Sequence, residues 1–279
     1  MQGAVDAIST VAAWPAVTEA LDEAREACTR LRWHEGLRRR SPEAAAESRV
    51  RGARASAEVD GARSEDAVVR ELLIGAMAWP ETDDPTLAVL RGAMQATAEA
   101  EHVGKVLRRA PRQVLARLHT AAAEPLLPAD LVGRPRGEAT SAEFSDLGAP
   151  PAVEPRLSGI VSLLEQVDRP GAPVVLLAAL AHAEIAVVRP FVRGNGLVAR
   201  ALERAMIHAG GVDPTGVSVP EAGHLQQAGA PYLGALSAYA GGTRKGVELW
   251  VRHVATAVVL GAQEGERIAT AVRAGRLDA

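Results

Sequence analysis

The chain has 279 residues, 34 acidic and 31 basic, for a net charge of −3, and only two tyrosines and two phenylalanines. That balance gives no general attraction to nucleic acid and no stacking platform for bases, and the single cysteine, Cys28, excludes an internal disulfide. Apolar residues make up 48% and aromatics only 3%, so the core is built from Ala, Leu and Val and an all-α fold is expected.

Residues 1–35 repeat Trp14, Val17, Leu21 and Ala24 on one helical face. Ser41-Pro42 predicts the next helix start, with serine as cap and proline at the first helical position. Val68, Val69, Leu72, Leu73 and Ala76 mark a third helix, and Pro80 with Asp83-Asp84-Pro85 ends it. A boundary near residue 80 therefore separates an N-terminal helical segment, 1–80, from a larger domain, 81–279. Helices are predicted over 85–109 and 111–123. Residues 127–155 carry four Gly or Pro clusters and predict irregular structure with room for a small β-hairpin. Further helices follow over 156–167, 173–188, 197–209, 230–240 and 244–273. PVVLLAALAHAEIAVV is the most apolar stretch, but His182 and Glu184 interrupt it, so no membrane span is expected. No signal peptide is recognisable, and a cytoplasmic location is the expectation.

Val187 to Arg200 reads VVRPFVRGNGLVAR. Gly194-Asn195-Gly196 accommodates backbone angles that bring successive N–H groups together as a nest, and the apolar run Leu197, Ala201, Leu202, Ala205 starts a helix whose dipole points at it. Such a turn predicts an anion site, or simply a loop ahead of a helix.

Arg189-Pro190-Phe191-Val192-Arg193-Gly194-Asn195-Gly196-Leu197-Val198-Ala199-Arg200 resembles the Fic (Fido) signature, His-Pro-Phe-x-(Asp/Glu)-Gly-Asn-Gly-(Arg/Lys)-x-x-Arg. AHAEIAVV is similar to the helix leading into that signature, EFSDLGAPPAVEPRLSGIVSLLEQ to its hairpin flap and following helix, and PYLGALSAYAGGTRKGVELWVRHVATAV to the closing helices, so the likeness covers roughly residues 85–265. The resemblance implies a helical, ATP-binding domain whose nest surrounds the phosphates and whose flap docks a target by strand addition. It also implies AMP transfer to a hydroxyl, with the histidine as base and the acid holding Mg²⁺. Upstream, Ser56-Ala57-Glu58-Val59-Asp60-Gly61 resembles the family's inhibitory (Ser/Thr)-x-x-x-Glu-(Gly/Asn), with Asp60 in the glutamate's place and Arg200 as its expected partner. Ser56 as a helix cap and Gly61 as a turn residue account for that string equally well.

Three departures carry chemical weight. Arg189 stands for the histidine, and a guanidinium with a pKa above ~12 accepts no proton at neutral pH. Arg193 stands for the acid and repels a cation, while Leu197 replaces the first basic residue after the nest. Together the exchanges add two positive charges, the charge of the missing Mg²⁺. The expected ligand is therefore ATP, another nucleotide or another phosphate, held without metal by Arg189, Phe191, Arg193, Gly194, Asn195, Gly196 and Arg200. No residue is expected to serve as catalyst or metal ligand. Drift of a lost active site gives the same arginines.

Two alternatives remain open: a nucleotidyl or phosphoryl transferase with a different base such as His182, and an interaction module in which Ala142 to Leu147 pairs with a partner strand. His182 and Glu184, two apart on a helix, face different directions and make a poor joint metal site. His102, His119, His208, His224 and His253 show no ligand spacing, and Cys28 and Trp250 read as core.

Overall fold

A computed structural model describes residues 2–81, 84–137, 139, 141 and 143–277, the side chains of residues 2–5 excepted. Among these, twelve α-helices and no strand occur: α1 (Gln2–Ala12), α2 (Pro15–Arg32), α3 (Ser41–Val59), α4 (Asp66–Ile74), α5 (Pro85–Val103), α6 (Pro111–Ala123), α7 (Val153–Leu164), α8 (Val174–Val188), α9 (Asn195–Ala209), α10 (Pro220–Gln226), α11 (Ala230–Ala240) and α12 (Arg244–Ala274). Proline at the first turn starts six of them, α2, α3, α5, α6, α10 and α11, where its missing N–H costs nothing. The stretch read as one N-terminal helix divides at Trp14, whose extended backbone leads into Pro15. Ser41 does not cap α3: its hydroxyl donates to the Leu37 carbonyl, and Arg40 holds the cap position. At α5, Asp84 caps as a short acid should, accepting from the Thr86 N–H at 2.8 Å.

α8 is buried on nearly every side, with Leu180 and Glu184 partly accessible. It lies at the centre, flanked by α7, α9, α11 and α12, the expected place for a helix that is apolar all round. α12 spans 31 residues, about 46 Å at 1.5 Å per residue, and runs past α2, α3, α8, α10 and α11. Where it crosses α10, a Cβ added to Gly223 would stand 2.0 Å from the Ala257 carbonyl oxygen, so only glycine permits the approach. Trp250 fills the centre and donates its indole N–H to the Ala179 carbonyl at 2.7 Å. One hydrophobic cluster runs from Ile8 to Val272, and α3 joins it by packing on α5, α10 and α12. Among the described residues no helix is long and apolar enough to cross a membrane.

The β-hairpin flap expected within 127–155 is not there. Ala142 lies outside the described residues; from Glu143 the chain turns, passes Phe144 in a left-handed conformation (φ 53°) and forms a short 3₁₀ turn at Ser145–Leu147. Two arginines explain why no ladder forms. Arg189 donates to the carbonyls of Glu143, Phe144 and Gly148, and Arg136 donates to those of Ala139, Pro151, Val188 and Arg189. Carbonyls that a second strand would use are thus taken by side chains, and Pro150-Pro151 removes two ladder donors beside them.

Candidate functional site

α8 ends at Arg189, itself left-handed (φ 48°), and Pro190 to Arg193 lead to Gly194, whose φ of 86° opens α9. Asn195 fixes the turn from inside: its Oδ1 accepts from the Phe191 N–H at 3.0 Å, and its Nδ2 donates to the Phe191 carbonyl at 2.9 Å. Phe191 is buried and stacks on His119 of α6, ring centroids 3.8 Å apart and 5° from parallel. His119 locks the same loop: its Nε2–H donates to the Arg193 carbonyl at 3.0 Å, and its Nδ1 accepts from the Gly133 N–H at 2.9 Å.

Burial pushes the His119 pKa down to about 4, against ~6.5 in an unfolded chain. Above pH ~6.5 both states are neutral; below it the unfolded chain takes up a proton that the folded one refuses, so stability falls as the pH drops towards 4. The thermal midpoint is expected to decline across that window. His119→Phe, which keeps the stack but not the titration, should decline less steeply, and an identical pH slope in the two proteins would refute the assignment.

The nest at 194–195 is occupied by the protein's own carboxylate. Glu143 accepts from the Gly194 N–H at 2.6 Å, from the Asn195 N–H at 2.8 Å and from Asn195 Nδ2 at 2.7 Å. Burial raises its pKa, while these three donors pull it down. Beside it lies an open-mouthed cavity of about 280 Å³ lined by Asp60, Glu143, Phe144, Arg193, Gly194, Gly196 and Leu197, among others, just under the ~300–1,000 Å³ typical of small-ligand sites.

Of the anticipated contacts, Arg193, Gly194 and Gly196 line this cavity, and Arg193 is exposed. Arg189 is buried away from it, its guanidinium committed to the 143–148 carbonyls. Phe191 and Asn195 shape the loop from within. Arg200 is fully buried beneath the cavity floor: Nη2 pairs with Asp60 at 2.9 Å, and Nε and Nη2 donate to the Ser56 hydroxyl and carbonyl at 2.9 and 3.0 Å. Its Nη1 is buried with no hydrogen-bond partner among the described residues. Asp60 stands at the carboxyl end of α3, where the helix dipole disfavours an anion, and Gly61 (φ 89°) turns the chain away just after it. A Cβ on Gly196 would lie 3.0 Å from Asp60 Oδ1 and 3.3 Å from Arg200 Nη1, so a side chain there would press on the Asp60–Arg200 pair. His182 is not at the cavity; it lies in the core with Glu203, His224 and Tyr232. Sequence reasoning missed Glu143 and His119, and no local pattern marks either, since each acts on residues more than fifty positions away.

Residues 110–207, from α6 through α9, match the model of the Fic/DOC family. No curated protein matches the chain. Solved structures that share the fold include a Fic family protein from Desulfovibrio desulfuricans G20, at 17% identity and TM-score 0.71 over 90% of this chain and 74% of that one. Fic-1 (residues 134–508) from C. elegans shows 18% identity and TM-score 0.65 over 93% and 73%. A Fic domain containing signaling protein from Bacteroides thetaiotaomicron shows 15% identity and TM-score 0.66 over 90% and 98%. The family match takes in the Gly194 loop near its C-terminal end and the surrounding helices are arranged as in these structures, so residues 110–207 form a Fic/DOC family domain within the chain.

Proposed function

We propose that this domain binds a phosphate-bearing ligand, ATP or another nucleotide, without performing the AMP transfer that its family resemblance implies, and that its resting form is held shut from within. The observation that carries the reading is the seat of Glu143. Three short, charge-assisted hydrogen bonds to an anionic group at Gly194 and Asn195 mean the nest is formed and accepts negative charge. A phosphate offers the same acceptors in the same place, with Arg193 at the rim.

The residues do not suit the cation that usually accompanies a nucleotide. Arg193 stands where an acid would ligate it, Glu143 is bound to the nest, and Asp60 is paired with Arg200. No step through Mg²⁺ is derived. Nor is there a base at the signature's own position: Arg189 keeps its charge and is turned away from the cavity, and His182 is sealed in the core.

Calorimetric titration with ATP in EDTA and again in excess Mg²⁺ tests the reading. Comparable, weak affinity in both buffers is expected, with no label transferred to lysate proteins from radioactive ATP. Binding that requires Mg²⁺, or transferred label, would overturn it.

A further inference from the structure

Outside the cavity, the only group of three or more potential metal ligands among the described residues is His182 of α8, Glu203 of α9 and His224 of α10, all fully buried. His182 Nδ1 meets one Glu203 oxygen at 2.5 Å, and His224 Nε2 lies 3.0 Å from both. Glu184, two residues on from His182, takes no part in the cluster and binds Arg156 and Tyr239 instead. On the far side of His182, Nε2 meets the Tyr232 hydroxyl at 2.8 Å, the outer hydrogen bond that orients a ligating imidazole.

Hydrogen bonds alone leave this cluster incomplete. The Glu203 carboxylate lies deep in an apolar core with these two rings as its side-chain partners, and Arg200, one turn before it on α9, is already paired with Asp60. Two ring nitrogens here, His224 Nδ1 and His253 Nε2, are buried without hydrogen-bond partners among the described residues. His253 stacks on His224, centroids 5.7 Å apart. A buried carboxylate calls for a paired charge or a metal, and the three ligand atoms converge closely enough for a cation to bind among them.

We infer that His182, Glu203 and His224 form a structural site for a divalent transition metal, zinc by preference. Two imidazoles and one carboxylate are the donor set that suits Zn²⁺, and they exclude Mg²⁺ and Ca²⁺, which take oxygen ligands. Bonds of ~2.0–2.1 Å in a tetrahedron place ligand atoms ~3.3 Å apart, so the present contacts open by less than about 1 Å on loading. Each ring ligates in its neutral form with the proton on the nitrogen away from the metal, His182 then donating from Nε2 to the Tyr232 oxygen. Because α8, α9 and α10 each contribute one ligand, the metal would tie together the helices flanking the Gly194 loop.

A site without an opening must be filled as the chain folds. The full-length protein is therefore unfolded in EDTA, refolded with Zn²⁺, with Co²⁺ or with EDTA alone, and gel-filtered in EDTA before its metal content is measured. One zinc per chain is expected, with a higher thermal midpoint than the EDTA sample and visible absorption of four-coordinate Co²⁺ in the cobalt sample. Glu203→Gln, close in shape, should lose both. Absence of retained metal in the wild type, or equal retention in Glu203→Gln, overturns the site. If that variant does not fold, the wild-type cobalt spectrum decides by itself: octahedral, solvent-like bands count against the inference.

Discussion

Glu143→Ala should bind ATP about 10- to 100-fold more tightly than the wild type. In the resting form the Glu143 carboxylate takes the Gly194 and Asn195 donors, so an entering phosphate must first displace an intramolecular competitor. Hydrogen bonds to charged groups contribute roughly 1.5–3 kcal/mol each, and the desolvation that raises the Glu143 pKa offsets part of that sum. A closed form favoured by ~1.4–2.7 kcal/mol leaves about one molecule in 10 to 100 open, and apparent affinity falls by that fraction. Removing the carboxylate restores it. Glu143→Gln keeps one acceptor and should gain less. The pH dependence has a defined sign. Since the closed-form pKa is raised, acidification towards 4.5 protonates Glu143 in place and favours the closed form, so wild-type affinity should weaken relative to Glu143→Ala as pH falls. Titration calorimetry across pH measures both effects, and equal affinity for the two proteins would remove Glu143 from any role as a plug.

The helical class was readable because composition and 3.6-residue periodicity act locally, and so were the proline-led starts of α3, α5 and α6, whereas the start of α2 at Pro15 and the whole of the short α10 at Pro220 were not. The hairpin was misread because Gly and Pro clusters signal only that a helix stops. Whether strands form instead depends on where the carbonyls of 139–151 find donors, and those donors are side chains from Arg136 and Arg189. Within the candidate site, Gly194, Asn195 and Gly196 were legible since their backbone freedom is a property of the residues themselves. The direction of Arg189 was not: the guanidinium of an αL residue at a helix end can turn towards either the cavity or the neighbouring loop, and here the loop carbonyls take it. His182 shows the same limit in reverse. Helical spacing separates it from Glu184, and only tertiary packing brings Glu203 and His224 to it.

Asp60→Ala should lower stability by about 3 kcal/mol, and ATP should recover much of the loss. Without Asp60 the Arg200 guanidinium keeps the Ser56 hydroxyl and carbonyl as acceptors, but its charge is fully buried and no counterion remains. Breaking a buried pair by removing one partner costs roughly 3–5 kcal/mol. The lower end applies because the Asp60 side chain is 26% exposed, so water can enter where it stood. Asp60 also lies against Gly196 at the cavity wall, and its removal joins Arg200, including the orphaned Nη1, to the anion nest. A polyphosphate spanning both would supply the missing negative charge to the folded state alone, which stabilises it by about 2.7 kcal/mol at a ligand concentration 100 times Kd. Thermal unfolding of wild type and Asp60→Ala, each with and without ATP in EDTA, separates the two effects. A large stability loss that ATP leaves untouched would make the Asp60–Arg200 pair a strut unconnected to the ligand site, whereas a midpoint that rises much more in the variant than in the wild type would join helix α3 to the Gly194 loop as one electrostatic unit.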